Sequence, residues 1–97
     1  MVLQTLGGMG KLHGYAIAAR IEQVSRGAIQ LNMGTLYPAL VRLEQRGYLR
    51  GKWTVTETKR RARLYELTAS GKRQLEVERG EWERTSDIMQ RMLRGEA

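Results

Sequence analysis

The sequence predicts a mainly α domain with one small β-hairpin, closed by a long C-terminal helix. Three observations predict it. Apolar residues recur at helical spacing through the first half, the period falls to two between Leu49 and Leu67, and a helical rhythm returns from Thr68 onward. The chain has 97 residues, enough for one domain and too few for two. A chain of this size buries only about two thirds of its unfolded surface, so the core is thin and a long element tends to seek a second subunit.

Taken in order, Val2–Leu6 reads as the tail of a helix that ends at Gly7-Gly8. The next helix runs from about Gly14 to Ser25, with Ile17, Ile21 and Val24 directed at the core and Gly27 as its stop. Ala28–Leu31 is expected as a short extended link. Asn32 is a good N-cap for a third helix whose buried stripe is Met33, Leu36, Leu40 and Leu43 and whose end is Gly47. Pro38 sits one turn inside that helix, and a cap at Thr35 instead would bring it into the tolerant first turn.

From Leu49 to Thr56 the side chains alternate. Leu49, Gly51, Trp53 and Val55 take one side, and Arg50, Lys52, Thr54 and Thr56 the other. Arg61–Leu67 reads as the returning strand, with Arg63, Tyr65 and Leu67 sharing a side. The tip between the strands has no glycine, so a longer mobile loop is expected in place of a two-residue turn. Thr68 caps the last helix, which continues to about Arg94 and spans about 40 Å over roughly 26 residues. Gly80 interrupts it at a cost of about 1 kcal/mol relative to alanine, and marks a bend or a close helix crossing.

Helix, helix, short strand, helix, basic hairpin and long helix is the layout of a winged helix-turn-helix domain. Residues 1–68 would form that domain, with a shortened first helix, and residues 69–97 a C-terminal dimerisation helix. Charge supports this reading. Lysine and arginine outnumber the acids 17 to 10, and between Arg42 and Arg63 eight bases stand against two acids, a net +6. An excess concentrated in so short a stretch suggests a polyanion partner. The major groove of duplex DNA is about 12 Å wide and admits one helix, while a basic hairpin can follow the flanking phosphates.

Turning 100° per residue from the buried stripe places Gly34, Pro38, Val41, Arg42 and Gln45 on the outer face of the third helix, with Thr35 and Arg46 beside Arg42. Small residues at its start let the backbone approach base edges, and Arg42 and Gln45 are donors long enough to reach bases or phosphates. At the hairpin tip, Lys59, Arg60, Arg61 and Arg63 are four bases in five positions with no acid among them. A solvated loop or a charge-protected sheet edge would have the same composition, but such crowding favours an anionic neighbour.

Four segments then identify the chain as similar to the PadR family of bacterial transcriptional regulators. They are His13-Gly14-Tyr15, Gly34-Thr35-Leu36-Tyr37-Pro38-Ala39-Leu40, Leu43-Glu44-Gln45-Arg46-Gly47-Tyr48-Leu49 and Tyr65-Glu66-Leu67-Thr68-Ala69-Ser70-Gly71. The resemblance implies a winged-helix repressor that dimerises through its C-terminal helix and binds a near-palindromic operator. It also implies that Thr35, Tyr37 and Pro38 lie at the DNA-facing start of the reading helix and Arg61 and Arg63 on the wing. Helical geometry puts Tyr37 at the edge of the buried stripe, its ring packed and its hydroxyl toward a phosphate. The chain departs from the family's pattern in its shorter first helix, in Gly80 and in its short tail.

The candidate DNA contacts are therefore Asn32, Gly34, Thr35, Tyr37, Pro38, Arg42 and Gln45 on the helix, with Lys52, Lys59, Arg60, Arg61 and Arg63 on the hairpin. On the last helix, Leu75, Trp82 and Met89 recur every seven residues, Met92 follows, and Thr85 takes an alternate seam position, a partial heptad that suits a homodimer. Trp82 is its best anchor.

Other functions find less support. The chain has no cysteine, which excludes disulfides and thiolate metal sites and fits a reducing cytosol. Its one histidine, His13, reads as a turn or packing residue. No nucleophile, base and orienting-group set and no phosphate-cradling glycine loop are visible, so an enzyme is not expected, nor a metal or other cofactor. The pattern names no small-molecule effector. No apolar run approaches the roughly 18 residues of a membrane span, and the sequence opens without a basic-then-apolar signal pattern, so a cytoplasmic, nucleoid-associated protein is expected. RNA binding lacks the paired exposed aromatics that stack bases. A protein-binding winged helix remains the alternative, although it would not need the net +6.

Overall fold

The computed structural model describes residues 1–95; the last two residues of the expected 69–97 segment lie outside them. Four helices, α1 (Val2–Met9), α2 (Gly14–Val24), α3 (Met33–Gln45) and α4 (Ala69–Leu93), surround a sheet of β1 (Leu12–His13), β2 (Leu49–Val55) and β3 (Arg61–Leu67). The sheet is antiparallel, in the order β1-β3-β2. The expected α+β class and the long final helix are both present.

Tyr65 lies at the centre, 1% exposed, on the middle strand, opposite Leu12 of β1 and Gly51 of β2. Around it pack Leu3 and Leu6 from α1, Ile17 and Ile21 from α2, Leu36 and Leu40 from α3, Leu49 from β2 and Leu75 from α4. Each helix thus contributes about one turn's worth of apolar side chains, the stripe that an amphipathic helix can offer a small core.

Several elements differ from the sequence reading. Gly7-Gly8 does not end α1, which continues to Met9 and stops at Gly10, in the left-handed region at φ 81°. Gly7 serves packing: a Cβ there would collide with the Leu75 side chain of α4, so the missing methyl lets the two helices touch. The extra strand lies before α2, at Leu12–His13. Ala28–Leu31 forms no strand; Ile29 and Leu31 pack against the core, and the Ser25 hydroxyl accepts the Ile29 N–H at 3.0 Å. Val24, expected inside, is exposed. It borders an open cleft of about 880 Å³ between α1, α2 and α4, together with Met9, Ile21, Leu75 and Trp82.

The end of α3 and the start of α4 share one junction. Gly47, φ 80°, donates its N–H to the Glu44 carbonyl, and Tyr48 donates to Leu43, the Schellman closure of a helix. The Tyr48 carbonyl accepts the Thr68 N–H at 3.1 Å, and Thr68 in turn caps α4 by accepting the Gly71 N–H at 3.0 Å. Gly71 rests so close to the Tyr48 carbonyl that a side chain cannot fit between them. Beyond Leu75, α4 leaves the core. The helix is continuous through Gly80, where an added Cβ would meet only the Arg84 side chain, at 3.6 Å, among the described residues.

Gly71→Ala is therefore expected to destabilise the fold by about 1–3 kcal/mol through overpacking against backbone. Gly8→Ala, which enters open space on α1, should be neutral or stabilising by up to about 1 kcal/mol. Thermal unfolding of the two variants compares them directly.

Candidate nucleic-acid interface

Helix α3 begins at Asn32, whose side chain accepts the Thr35 N–H at 2.9 Å. The cap is thus Asn32 rather than Thr35, and Pro38 stands inside the helix, where it removes the amide that would bond the Gly34 carbonyl. By helix geometry the Met33 and Gly34 amides have no intrahelical acceptor, so the positive end of the helix opens to solvent with no acidic residue in its first turn.

Three sides of α3 have separate tasks. Leu36 and Leu40 are buried, with Leu43 half-buried beside them. Gly34, Thr35, Pro38, Arg42 and Gln45 are exposed, as the outward rotation predicts, and Val41 is half-buried. The remaining side, Tyr37 and Glu44, looks toward the hairpin. Tyr37 is half-exposed and close enough to Arg63 and Tyr65 to interact with both electrostatically.

The hairpin keeps its predicted alternation. Leu49, Gly51, Trp53 and Val55 stand opposite Leu67, Tyr65, Arg63 and Arg61 and share one face of the sheet. Lys52 pairs with Leu64 and projects from the other face, away from the arginines with which the sequence groups it. On that face Glu66 is shared by Arg50 at 3.4 Å and Lys11 at 3.8 Å. The Thr54 hydroxyl donates to the Ala62 carbonyl and lies 2.7 Å from His13 Nε2, which fits the reading of His13 as a packing residue. The tip is a five-residue connection closed by Lys59 N–H to the Thr56 carbonyl and Thr56 N–H to the Arg60 carbonyl, both 2.9 Å, with Lys59 left-handed at φ 60°.

Arg63 differs from its expected state. Its Nε and Nη2 donate to the two carboxylate oxygens of Glu44 at 3.2 and 2.8 Å, and both residues are half-buried. This hydrogen bond holds the Arg63 guanidinium above its ordinary pKa, and burial pushes the Tyr65 phenol up. Trp53 carries Arg61 and Arg63 over its ring at 5.1 and 5.5 Å, within cation–π range. Glu44 and Trp53 were not singled out from the sequence. The signal was there in the alternation, but joining the two strands' faces required the loop register. By contrast, Arg42, Arg46, Lys59, Arg60 and Arg61 enter no ion pair among the described residues.

Leu75, expected on the seam of the last helix, is 8% exposed in the chain's own core. Trp82, Thr85, Met89 and Met92 are exposed further along α4, with Trp82 at 71%.

Two helices in helix-turn-helix order followed by a basic two-stranded wing define a winged-helix protein. The chain belongs to the transcriptional regulator PadR-like family, whose model matches residues 2–77. It is similar to a PadR family transcription regulator from Clostridium difficile, with 28% identity and a TM-score of 0.81 over 95% of this chain and 93% of that one. A transcriptional regulator from Clostridium thermocellum shares 29% identity at a TM-score of 0.78, covering 93% and 87% of the two chains. Bacillus subtilis PadR, solved in complex with operator DNA, shares 29% identity at a TM-score of 0.68 over 78% of this chain and 41% of its own. An uncharacterised 37.1 kDa protein in a transposon of Streptomyces fradiae is 48% identical over 69 residues, 71% of this chain, and the match spans 18% of that protein's length.

Asn32→Ala is expected to lower stability by about 1 kcal/mol, because the Thr35 amide loses its shorter acceptor, the Asn32 side chain at 2.9 Å, and keeps only the Asn32 carbonyl at 3.2 Å. Thermal or urea unfolding measures the loss.

Proposed function

We propose that the chain binds double-stranded DNA sequence-specifically as a homodimer and acts as a repressor at a near-palindromic operator. Helix α3 enters the major groove, and the wing follows the adjoining phosphates. The observation that carries this reading is the exposed outer side of α3 beside a wing whose tip cations have no acidic partner among the described residues, the two elements joined by the Glu44–Arg63 pair. The operator complex of the Bacillus subtilis relative supports the partner. Gly34, Thr35 and Pro38 allow close approach at the start of α3; Arg42 and Gln45 reach base edges; Asn32 and Tyr37 orient the helix start; Lys59, Arg60 and Arg61 take phosphates, and Lys52 a more distant one. The DNA-binding unit extends past residue 68 through Leu75, and the dimerising segment is the part of α4 carrying Trp82, Thr85, Met89 and Met92. A partner helix laid against Trp82 and the cleft beside Val24 would cover their apolar surface. No helix among the described residues is long and apolar enough to cross a membrane. Binding to operator DNA would place the protein in the cytoplasm, on the nucleoid.

Duplex affinity is expected to fall linearly against salt on logarithmic axes, with a slope of about −0.9 per phosphate neutralised. A flat response would favour a protein-binding winged helix instead. Gln45→Ala or Arg42→Ala should narrow the gap between operator and random duplex by about 1–3 kcal/mol, measured by competition binding. Equal losses on both duplexes would make the residue a phosphate contact.

Trp82→Ala should move the protein from dimer toward monomer in sedimentation velocity, and a monomeric wild type would refute the seam. In the dimer the two α3 helices should lie about 34 Å apart, one helical turn of DNA.

A further inference from the structure

The two wing arginines stand in different electrostatic states, and the difference assigns them different work. Arg63 is held at both ends of its fork by Glu44, on the last turn of α3, with its guanidinium over Gly51 of β2. Gly51 provides the floor. A Cβ at that position would approach Arg63 Nε to 2.5 Å and its Cζ to 2.9 Å, so the guanidinium occupies the space a side chain would take. Trp53, directly opposite Arg63 in the register, stacks against it, and Arg61 covers the same indole from two residues away. Carboxylate, guanidinium, indole and guanidinium thus follow one another from the recognition helix to the outer wing. Of the two arginines, only the inner one has an acidic partner among the described residues.

We propose that Glu44, Arg63, Gly51 and Trp53 form a strut that fixes the wing's angle to α3, that Arg63 is a positioning residue rather than a phosphate ligand, and that Arg61 is the arginine the strut presents to the DNA backbone. The inference rests on the DNA-binding reading above. It is needed because the buried part of the hairpin ends at Leu49 and Tyr65; Trp53 and Val55, further out, are exposed. With no core beneath it, the outer wing takes its direction from polar links, the Glu44–Arg63 pair to α3 on one face and the His13–Thr54 contact to β1 on the other. A wing left to swing would lose freedom on binding and weaken the complex without any contact being removed.

The strut needs the fork of Arg63, whereas a phosphate ligand needs mainly its charge. Two variants conserve local net charge and separate these roles: Arg63→Lys, and the pair Glu44→Gln with Arg63→Gln. Full-length protein is titrated with a duplex selected from random sequence by the wild type, across a range of salt. Both variants are expected to bind about tenfold more weakly with the salt slope unchanged, while Arg61→Gln reduces the slope by about 0.9. Gly51→Ala, which removes no charge and displaces the guanidinium, should reproduce the Arg63→Lys loss and covers the case in which Arg63→Lys does not fold. Melting temperatures of the Glu44→Gln and Arg63→Gln singles and double should show losses that are less than additive. Wild-type affinity in Arg63→Lys, or a slope reduced by about one in the double variant, would make Arg63 a phosphate ligand and overturn the strut. A wild type that binds no duplex would overturn the functional reading and the inference with it, and less-than-additive melting losses would then show that the pair exists without that purpose.

Discussion

Tyr65 is the residue around which the small core is arranged. It sits on the central strand and is the largest side chain fully enclosed, and its neighbours come from elements on every side. In a chain of 97 residues there is little second-layer packing to distribute error. The elements therefore approach one another through glycines at the tight places: Gly7 beneath the Leu75 side chain, Gly71 beneath the Tyr48 carbonyl, and Gly51 beneath the Arg63 guanidinium. A core this thin remains close-packed only where backbones are allowed to touch, because each missing contact forfeits dispersion energy that no deeper layer replaces.

That economy decides how the functional surface is held. Helix α3 is anchored to the core by Leu36 and Leu40 and closed at Gly47, so its outward side is fixed by the same contacts that stabilise the fold. The hairpin has such an anchor only at its base, and beyond Tyr65 hydrophobic burial gives way to charge and stacking. The Glu44–Arg63 pair is half-buried and bidentate, where an ion pair contributes more geometry than a solvent-exposed one does. At the tip, Lys59, Arg60 and Arg61 have no acidic partner among the described residues, and the Lys59 backbone even adopts a left-handed conformation to close the turn.

Much of this was legible in the sequence, for identifiable reasons. Asn32, Gly47 and Thr68 mark helix ends by local hydrogen bonding, and local chemistry survives without knowledge of the fold. The β2 and β3 alternation likewise fixed which residues share a face. Positions that depended on distant partners were read less well. Two residues at Leu12–His13 carry no period, so β1 becomes visible only when β3 is beside it. Gly7 looked like a stop because Leu75 lies 68 positions away in the chain. Leu75 fits the heptad as well as Trp82 does, and only the tertiary contact distinguishes a side chain facing its own core from one left outside. Arg63 belongs to the same class, since nothing in a run of bases tells which one has a carboxylate waiting on another element.

The distal half of α4 presents the remaining physical problem. Isolated helices shorter than about 12–15 residues are marginal in water, and the 13 residues from Glu81 to Leu93 follow Gly80, a poor helix former. Its apolar residues Trp82, Ile88, Met89 and Met92 are half or more exposed among the described residues, although the helix is continuous to Leu93. In the proposed dimer a second copy supplies that cover, and Gly80, open to approach, gives the partner backbone room to come near. Dimerisation would then do more than double the number of recognition helices. It would stabilise the segment that sets the distance between them, so that folding of the distal helix and spacing of the two half-sites become a single equilibrium.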